Sequence, residues 1–201
     1  MRLVELAQKT IAGILAPGDV AVDATVGNGL DTLFLARCVG PAGMVYAMDI
    51  QPTAIAIAEK KLRTAGFADR IRLETENHAN LDRIIAIEHK NRINAVMFNL
   101  GYLPGSDTRI TTQPSSTRIA LQSACRHLSN RGRITVLCYT AHPGGSAETE
   151  AVRRVAAELP ENFRITIHRP QRIAKSPPEL VIIERHDPAM VQSSDANRPC
   201  R

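Results

Sequence analysis

The sequence predicts an α/β fold: a Rossmann-like, mostly parallel seven-stranded sheet with an antiparallel closing strand and helices on both faces. Three observations predict it. Short apolar runs alternate with segments of helical periodicity, as in a parallel sheet built from strand-helix-strand units. The first run passes directly into a glycine turn, DATVGNGLDT, that opens a helix. The last two runs are separated by a short polar stretch, which fits an antiparallel pair.

Residues 3 to 15 set Leu3, Leu6, Ala7, Ile11, Ile14 and Leu15 near one helical face, and Pro17-Gly18 ends that helix. Val20, Ala21, Val22 and Ala24 form the first strand, an apolar run suited to burial on both faces. Gly27-Asn28-Gly29 supplies the turn after it, and Asp31 and Thr32 stand in the first helical turn, where acidic and hydroxyl side chains suit exposed N–H groups. Thr32 takes the place of the third glycine of a G-x-G-x-x-G dinucleotide turn. Asp23 and Asp31 put two carboxylates around the turn. They would repel a pyrophosphate and attract a cation, so the turn favours the sulfonium and α-ammonium of S-adenosyl-L-methionine over NAD.

The second strand, Met44 to Ile50, carries Asp49, twenty residues past Gly29, where an acid meets ribose hydroxyls, with Gln51 close by. Asp49 as a cap for the helix from Pro52 to Ala65 is the alternative. That helix turns Ile55, Ile57, Ala58 and Leu62 inward and stops at Gly66. The third strand, Arg70 to Leu73, leads into Glu76 to Asn80. There Asn77 or His78 would contact an adenine, or Asn77 would cap the helix through Leu81, Ile84 and Ile85.

The fourth strand, Ile93 to Phe98, runs into Asn99-Leu100-Gly101-Tyr102-Leu103, and in an open α/β sheet such a loop faces the ligand. The run resembles the N-P-P-Y type motif of amino-group methyltransferases. A nitrogen nucleophile must aim its lone pair in line with the departing sulfur while its N–H groups meet fixed acceptors. The Asn99 side-chain oxygen and the Leu100 carbonyl can supply these, and Tyr102 can stack on a flat base or lie beside the methyl group. A turn built on Asn and Gly is the plainer alternative. The segment Ser106 to Ser116, with Asp107, Arg109, Thr111 and Thr112, is longer than a minimal connection and reads as substrate-facing.

A helix from Thr117 to Leu128 and a strand from Arg133 to Tyr139 follow. Beyond that strand stands His142, the candidate base near neutral pH or a substrate ligand, with a structural loop histidine as the alternative. The helix from Ala147 to Leu159 carries Glu148, Glu150, Arg153, Arg154 and Glu158 on its exposed side, and strands Phe163 to Arg169 and Leu180 to Arg185 close the sheet. Residues 1 to 186 read as one domain, followed by a polar, disordered tail from 187 to 201.

Composition sets the bounds. A 201-residue chain that is 44% hydrophobic suffices for one substantial core. With no run of eighteen apolar residues, and no signal-peptide pattern in MRLVELAQKT, the expectation is a cytoplasmic protein without a membrane partner. Cys38, Cys125, Cys138 and Cys200 are scattered, so neither a disulfide framework nor a metal site is indicated. Residues 1 to 100 hold 11 Lys+Arg against 11 Asp+Glu and residues 101 to 201 hold 14 against 9, so the net charge of +5 lies in the second half. That half is left to meet the substrate, and its basicity suits RNA, with a solvated surface as the alternative.

Four segments, VDATVGNGLDTLFLA, FNLGYLPG, TTQPSST and YTAHPGG, together resemble the YtqB-type family of rRNA methylases, over nearly the whole chain to about Arg185. The resemblance implies a class I adenosylmethionine-dependent methyltransferase fold. It also implies transfer of a methyl to the amine of 5-aminomethyl-2-thiouridine at the wobble position of tRNA. By position, Asp23, Gly27, Asn28, Gly29, Asp31, Thr32, Asp49 and Gln51 fall in cofactor segments, which Asn77, His78 and Asn99 complete. Asn99, Tyr102 and His142 are the expected catalytic residues, and Gly101, Leu103, Thr111 and His142 the expected substrate contacts. Leu30 stands where the family commonly has histidine, and Glu76 to Asn80 is less typical of it. The residues by themselves leave open a ribosomal base nitrogen, a small-molecule amine, or cofactor binding without turnover as alternatives; a nicotinamide oxidoreductase fits least. A homodimer would widen the basic surface of so small a chain.

Overall fold

Each central strand alternates apolar residues toward opposite faces, which lets helices cover both sides. The computed structural model of the chain describes residues 1–103, 105, 107, 109–170 and 176–187. The elements run α1 (Leu3–Ala12), β1 (Val20–Asp23), α2 (Leu30–Val39), β2 (Met44–Asp49), α3 (Pro52–Thr64), β3 (Ile71–Thr75), α4 (Leu81–Ile84), β4 (Ile93–Leu100), α5 (Pro114–His127), β5 (Leu128–Cys138), α6 (Gly145–Ala157), β6 (Phe163–His168) and β7 (Glu179–Arg185). The sheet has seven strands in the order β3-β2-β1-β4-β5-β7-β6. Strands β1 to β5 pair in parallel, and β7 runs antiparallel to both β5 and β6. The predicted α/β architecture is therefore observed, with its reversed closing strand.

On one face Val20, Val22, Tyr46, Met48, Val96 and Phe98 pack with Leu121 of α5 and Val152 of α6. On the other, Ala21, Val45, Ala47, Ala95 and Met97 meet Ile11 of α1, Leu35 of α2 and Ala58 of α3. The chain winds outward from β1 through β2 to β3, then returns to lay β4 on the other side of β1. That reversal opens a crevice beyond the carboxyl ends of β1 and β4, where ligands bind in open α/β sheets.

Several boundaries differ from the expected ones for identifiable reasons. Helix α1 closes at Gly13, a weak helix former, rather than at Pro17. Strand β4 continues through Leu100, so Asn99 is held by the sheet and not by a loop. Helix α5 begins at Pro114, whose missing N–H suits a first turn, and passes without a connecting residue into β5. Strand β5 starts early because Leu128 already pairs with Ile93 before the register shifts. Ile57 is exposed, and α3 buries Ala54, Ala58 and Leu62 instead. Helix α6 begins at Gly145, and its inner face takes Gly145, Glu148, Thr149, Val152, Val155 and Ala156. Glu148 is thus buried, against the expectation that it faces solvent.

Cys38, Cys125 and Cys138 are free thiols, and burial pushes the last two up to about 12. Among the described residues no helix is long and apolar enough to cross a membrane. Beyond Asp187 the expected tail lies outside the described residues.

Candidate active site

A cavity of about 540 Å³ opens in the crevice made by the sheet reversal. Of the expected site residues it gathers Gly27, Asn28, Asp31, Asp49, Gln51, Asn77 and His78 on one side. Asn99, Gly101, Tyr102, Leu103, Thr111 and His142 come in on the other. Its size is ordinary for a site that takes a small ligand.

Three expected cofactor contacts, Asp23, Gly29 and Thr32, lie beneath the turn and do not line the cavity. Asp23 is fully buried; its Oδ2 accepts from Thr32 Oγ1 at 2.6 Å and its Oδ1 from the Thr25 N–H at 3.1 Å. Burial, then the charge of nearby Asp31, pushes its carboxyl up to about 7. The short side chain is spent on bracing the turn from below. Gly29 caps α2 with φ at +72°, and a Cβ there would stand 2.8 Å from the Ala58 Cβ. Its role is to let α2 abut α3.

Asp31 does form a wall of the cavity. Its Oδ1 accepts from Gln8 Nε2 at 2.7 Å and its Oδ2 from Asn99 Nδ2 at 2.7 Å. Both donors are neutral amides, so neither cancels the negative charge of the carboxylate. Because a carboxylate of this kind accepts and an amide NH₂ donates, Asn99 must turn its nitrogen to Asp31 and its Oδ1 away from it. The Asn99 N–H is held in turn by Thr25 Oγ1 at 2.7 Å. Sequence reasoning missed Gln8 and Thr25. The signal available for Gln8 was a polar side chain on a mostly apolar helix, one turn after Val4, which lines the cavity beside it.

Asp49 accepts from the N–H of Gly27 and of Gln51, both at 2.9 Å, which ties the end of β2 to the turn. Two further acceptor positions on its oxygens remain. Asn77 is a cap, its Oδ1 accepting from the Ala79 N–H at 2.9 Å. His78 is buried against Phe98, with ring centroids 6.0 Å apart, and its Nε2 lies 3.2 Å from Ser116 Oγ. A hydrogen bond to the Ala24 backbone does not offset its burial, which lowers it to about 4. It brackets the end of β1 to the start of α5 and reaches the cavity only at its edge.

Across the cavity, the chain after β4 folds back on itself. The Gly101 N–H donates to Thr112 Oγ1 at 2.8 Å, the Thr112 N–H donates to the Gly101 carbonyl at 2.9 Å, and Tyr102 bridges to Thr111. Gly101 has φ at +147°, a conformation L side chains rarely adopt. Tyr102 is 45% exposed, and its ring stands edge-on to His142 at 6.0 Å. A second hollow, lined by Tyr102, Arg109, Thr111, Ala141, His142 and Pro143, adjoins this rim.

His142 lines both the cavity and the adjoining hollow. Its Nδ1 hydrogen-bonds the Pro143 carbonyl at 2.9 Å, so in the neutral ring the lone pair sits on Nε2. That Nε2 is enclosed beside Gly101 and Gly145, without a partner. Nε2 is thus shut off from solvent in this arrangement, and the ring packs edge-on against Tyr102. Among the described residues no three His, Cys, Asp or Glu side chains converge as metal ligands.

The arrangement can hold a cation against Asp31 and a diol against Asp49, and can offer Asn99 Oδ1 to an N–H donor between them. The chain is 37% identical over 164 residues to the Arabidopsis thaliana protein named tRNA (mnm(5)s(2)U34)-methyltransferase, chloroplastic, across 78% of this chain. It spans only 59% of that relative's length. Among solved structures, a Clostridium thermocellum protein described as a "putative rRNA-methylase" superposes with a TM-score of 0.87 at 38% identity, covering 92% of this chain and 98% of that one. A Streptococcus mutans protein described as "a putative methyltransferase" and solved in complex with SAH gives 0.82 at 31% identity, with coverage of 92% and 98%. The fold is that of class I methyltransferases. With residues 45–184 matching the family described as "Putative rRNA methylase", the chain belongs to that family.

Proposed function

We propose that the chain is an S-adenosyl-L-methionine-dependent N-methyltransferase acting on RNA, and that its target is the amine of 5-aminomethyl-2-thiouridine at the tRNA wobble position. The observation that carries this reading is the Asn99 side chain, pinned by Asp31 through its nitrogen so that Oδ1 is left as an acceptor. The name of the Arabidopsis relative supports the choice of target, and the SAH bound by the Streptococcus protein supports the choice of cofactor.

Bound S-adenosyl-L-methionine would supply an activated methyl group on a positively charged sulfur. Asp31 fits that charge, the open acceptor positions of Asp49 fit the ribose hydroxyls, and the Gly27-Asn28 turn fits a close backbone approach. Asn99 Oδ1 would accept one N–H of the incoming amine and the Leu100 carbonyl another. The Tyr139 N–H reaches that carbonyl at 3.4 Å, which leaves it a second lone pair. Tyr102 would stack on the base. The amine lone pair forms the new N–C bond as the C–S bond breaks, its electrons stay on sulfur, and the product ammonium releases a proton to solvent. Since only the neutral amine has a lone pair, activity should rise with pH through the apparent pKa of the amine. The reading takes residues 1 to 186 as one catalytic domain in the cytoplasm. It includes a homodimer, which sedimentation with and without tRNA would check.

The deciding assay uses purified protein, S-adenosyl-L-methionine and tRNA from a strain lacking wobble-uridine methylation, followed by mass spectrometry of the nucleosides. One added methyl on the aminomethyl uridine is the expected product. Methylation of ribosomal RNA instead, with tRNA untouched, would support the second reading, which the family's description favours. Binding of tRNA should weaken steeply with salt; salt-insensitive binding would favour a small-molecule amine.

A further inference from the structure

Glu148 is 1% exposed, yet it sits on the inner face of α6 among apolar neighbours. A buried carboxylate must be compensated by hydrogen bonds. Here both partners are hydroxyls: Oε2 accepts from Thr112 Oγ1 at 2.7 Å and Oε1 from Thr117 Oγ1 at 2.5 Å. The direction of the chain is fixed, because the Gly101 N–H can only donate to Thr112 Oγ1, whose own hydrogen then goes to Glu148. Thr117 lies in the first turns of α5. One carboxylate therefore holds the far end of the segment that carries Tyr102 and Thr111 directly, and its near end at Gly101 through Thr112, from a helix on which no described residue lines the cavity.

We propose that Glu148 is a positioning residue for the target-base side of the site. Through Thr112 it fixes the Gly101 amide, and so the place where Tyr102 meets the base. It acts on methyl transfer far more than on cofactor binding, since Asp31 and Asp49 hold their places through other partners and its link toward the cofactor side is the long 3.5 Å contact of Thr117 Oγ1 with His78 Nε2. This rests on the proposed methylation of a tRNA base.

Three variants test it: Glu148→Gln, which turns an NH₂ toward one of the two hydroxyls; Thr112→Val, which removes the link at similar volume; and Thr112→Ser, which keeps it. The first two should lower kcat on tRNA by about tenfold or more, as misplacement of a reacting group does. SAH affinity by calorimetry should stay within about twofold, and Thr112→Ser should recover most of the turnover. The double variant should be little worse than the weaker single one, because the residues act as a unit. Hydrogen exchange should quicken in the peptide spanning residues 100 to 113 and not across β1 to β3. Equal losses of SAH affinity and kcat, or unchanged exchange in that peptide with both variants, would overturn the proposal. The calorimetry and exchange arms need no RNA, so an enzyme inert on tRNA would defeat the proposed function and still leave Glu148 open to test.

Discussion

Replacing Asn99 by alanine should slow methyl transfer about a hundredfold while SAH affinity changes by no more than about threefold. The asymmetry follows from where the two ends of the amide point. Its nitrogen donates to Asp31, which keeps Gln8 as a donor when Asn99 is truncated. Its oxygen has no comparable substitute. Asn99→Asp is the sharper companion variant, since it sets a second carboxylate where an amide now lies 2.7 Å from Asp31. Two like charges at that distance do not both ionise readily, so one would hold a proton and the site would gain a pH dependence the parent lacks. Single-turnover rates and calorimetry with SAH separate these effects. If Asn99→Ala loses affinity and turnover by the same factor, the residue belongs to the cofactor side alone.

The second large effect is on stability. Asp23, the last residue of β1, and His78, bonded to the backbone of the next residue, Ala24, have opposite pH signatures. Asp23 rises from 3.8 to about 7 in the folded chain, chiefly through burial, so the stability it contributes is present at low pH and lost as pH climbs from about 4 to about 7. His78 falls from 6.5 to about 4, again through burial, so its contribution is present above 6.5 and lost as pH drops toward 4. They are on the order of 4 kcal/mol for Asp23 and about 3 kcal/mol for His78, and between pH 4 and 6.5 they oppose one another. Asp23→Asn should therefore uncover the histidine and lose stability on acidification more steeply than the parent. His78→Gln should do the reverse, losing stability as pH rises through the same window. Urea denaturation at a series of pH values reads both slopes. Curves for the two variants that run parallel to the parent would mean that neither group is perturbed as described.

The fold was legible because its signals are local and periodic: apolar runs of strand length, a glycine turn, a proline at the start of α3. The reach of individual side chains was not. Asp23 and Asp31 look alike as acids flanking a turn, but one bends under the backbone and the other faces the cavity, a difference set by whether the residue ends a strand or begins a helix. Glu148 looks like one more charge on a solvated helix, and only the two threonines from distant segments reveal why it is inside. His142 was placed correctly at the rim, but the direction of its Nε2 depends on a backbone carbonyl one residue away. Gln8 was missed because its partner is 23 positions along the chain.

The reversal of strand order between β1 and β4 runs through the site like a seam. On the proposed function, the groups that would grip the donor are sewn to the first half of the chain and those that would greet the acceptor to the second, with the Asn99–Asp31 contact as a stitch between them. On that reading, changes beyond Asn99 would retailor which acceptor is admitted while the donor's half of the garment stays as cut.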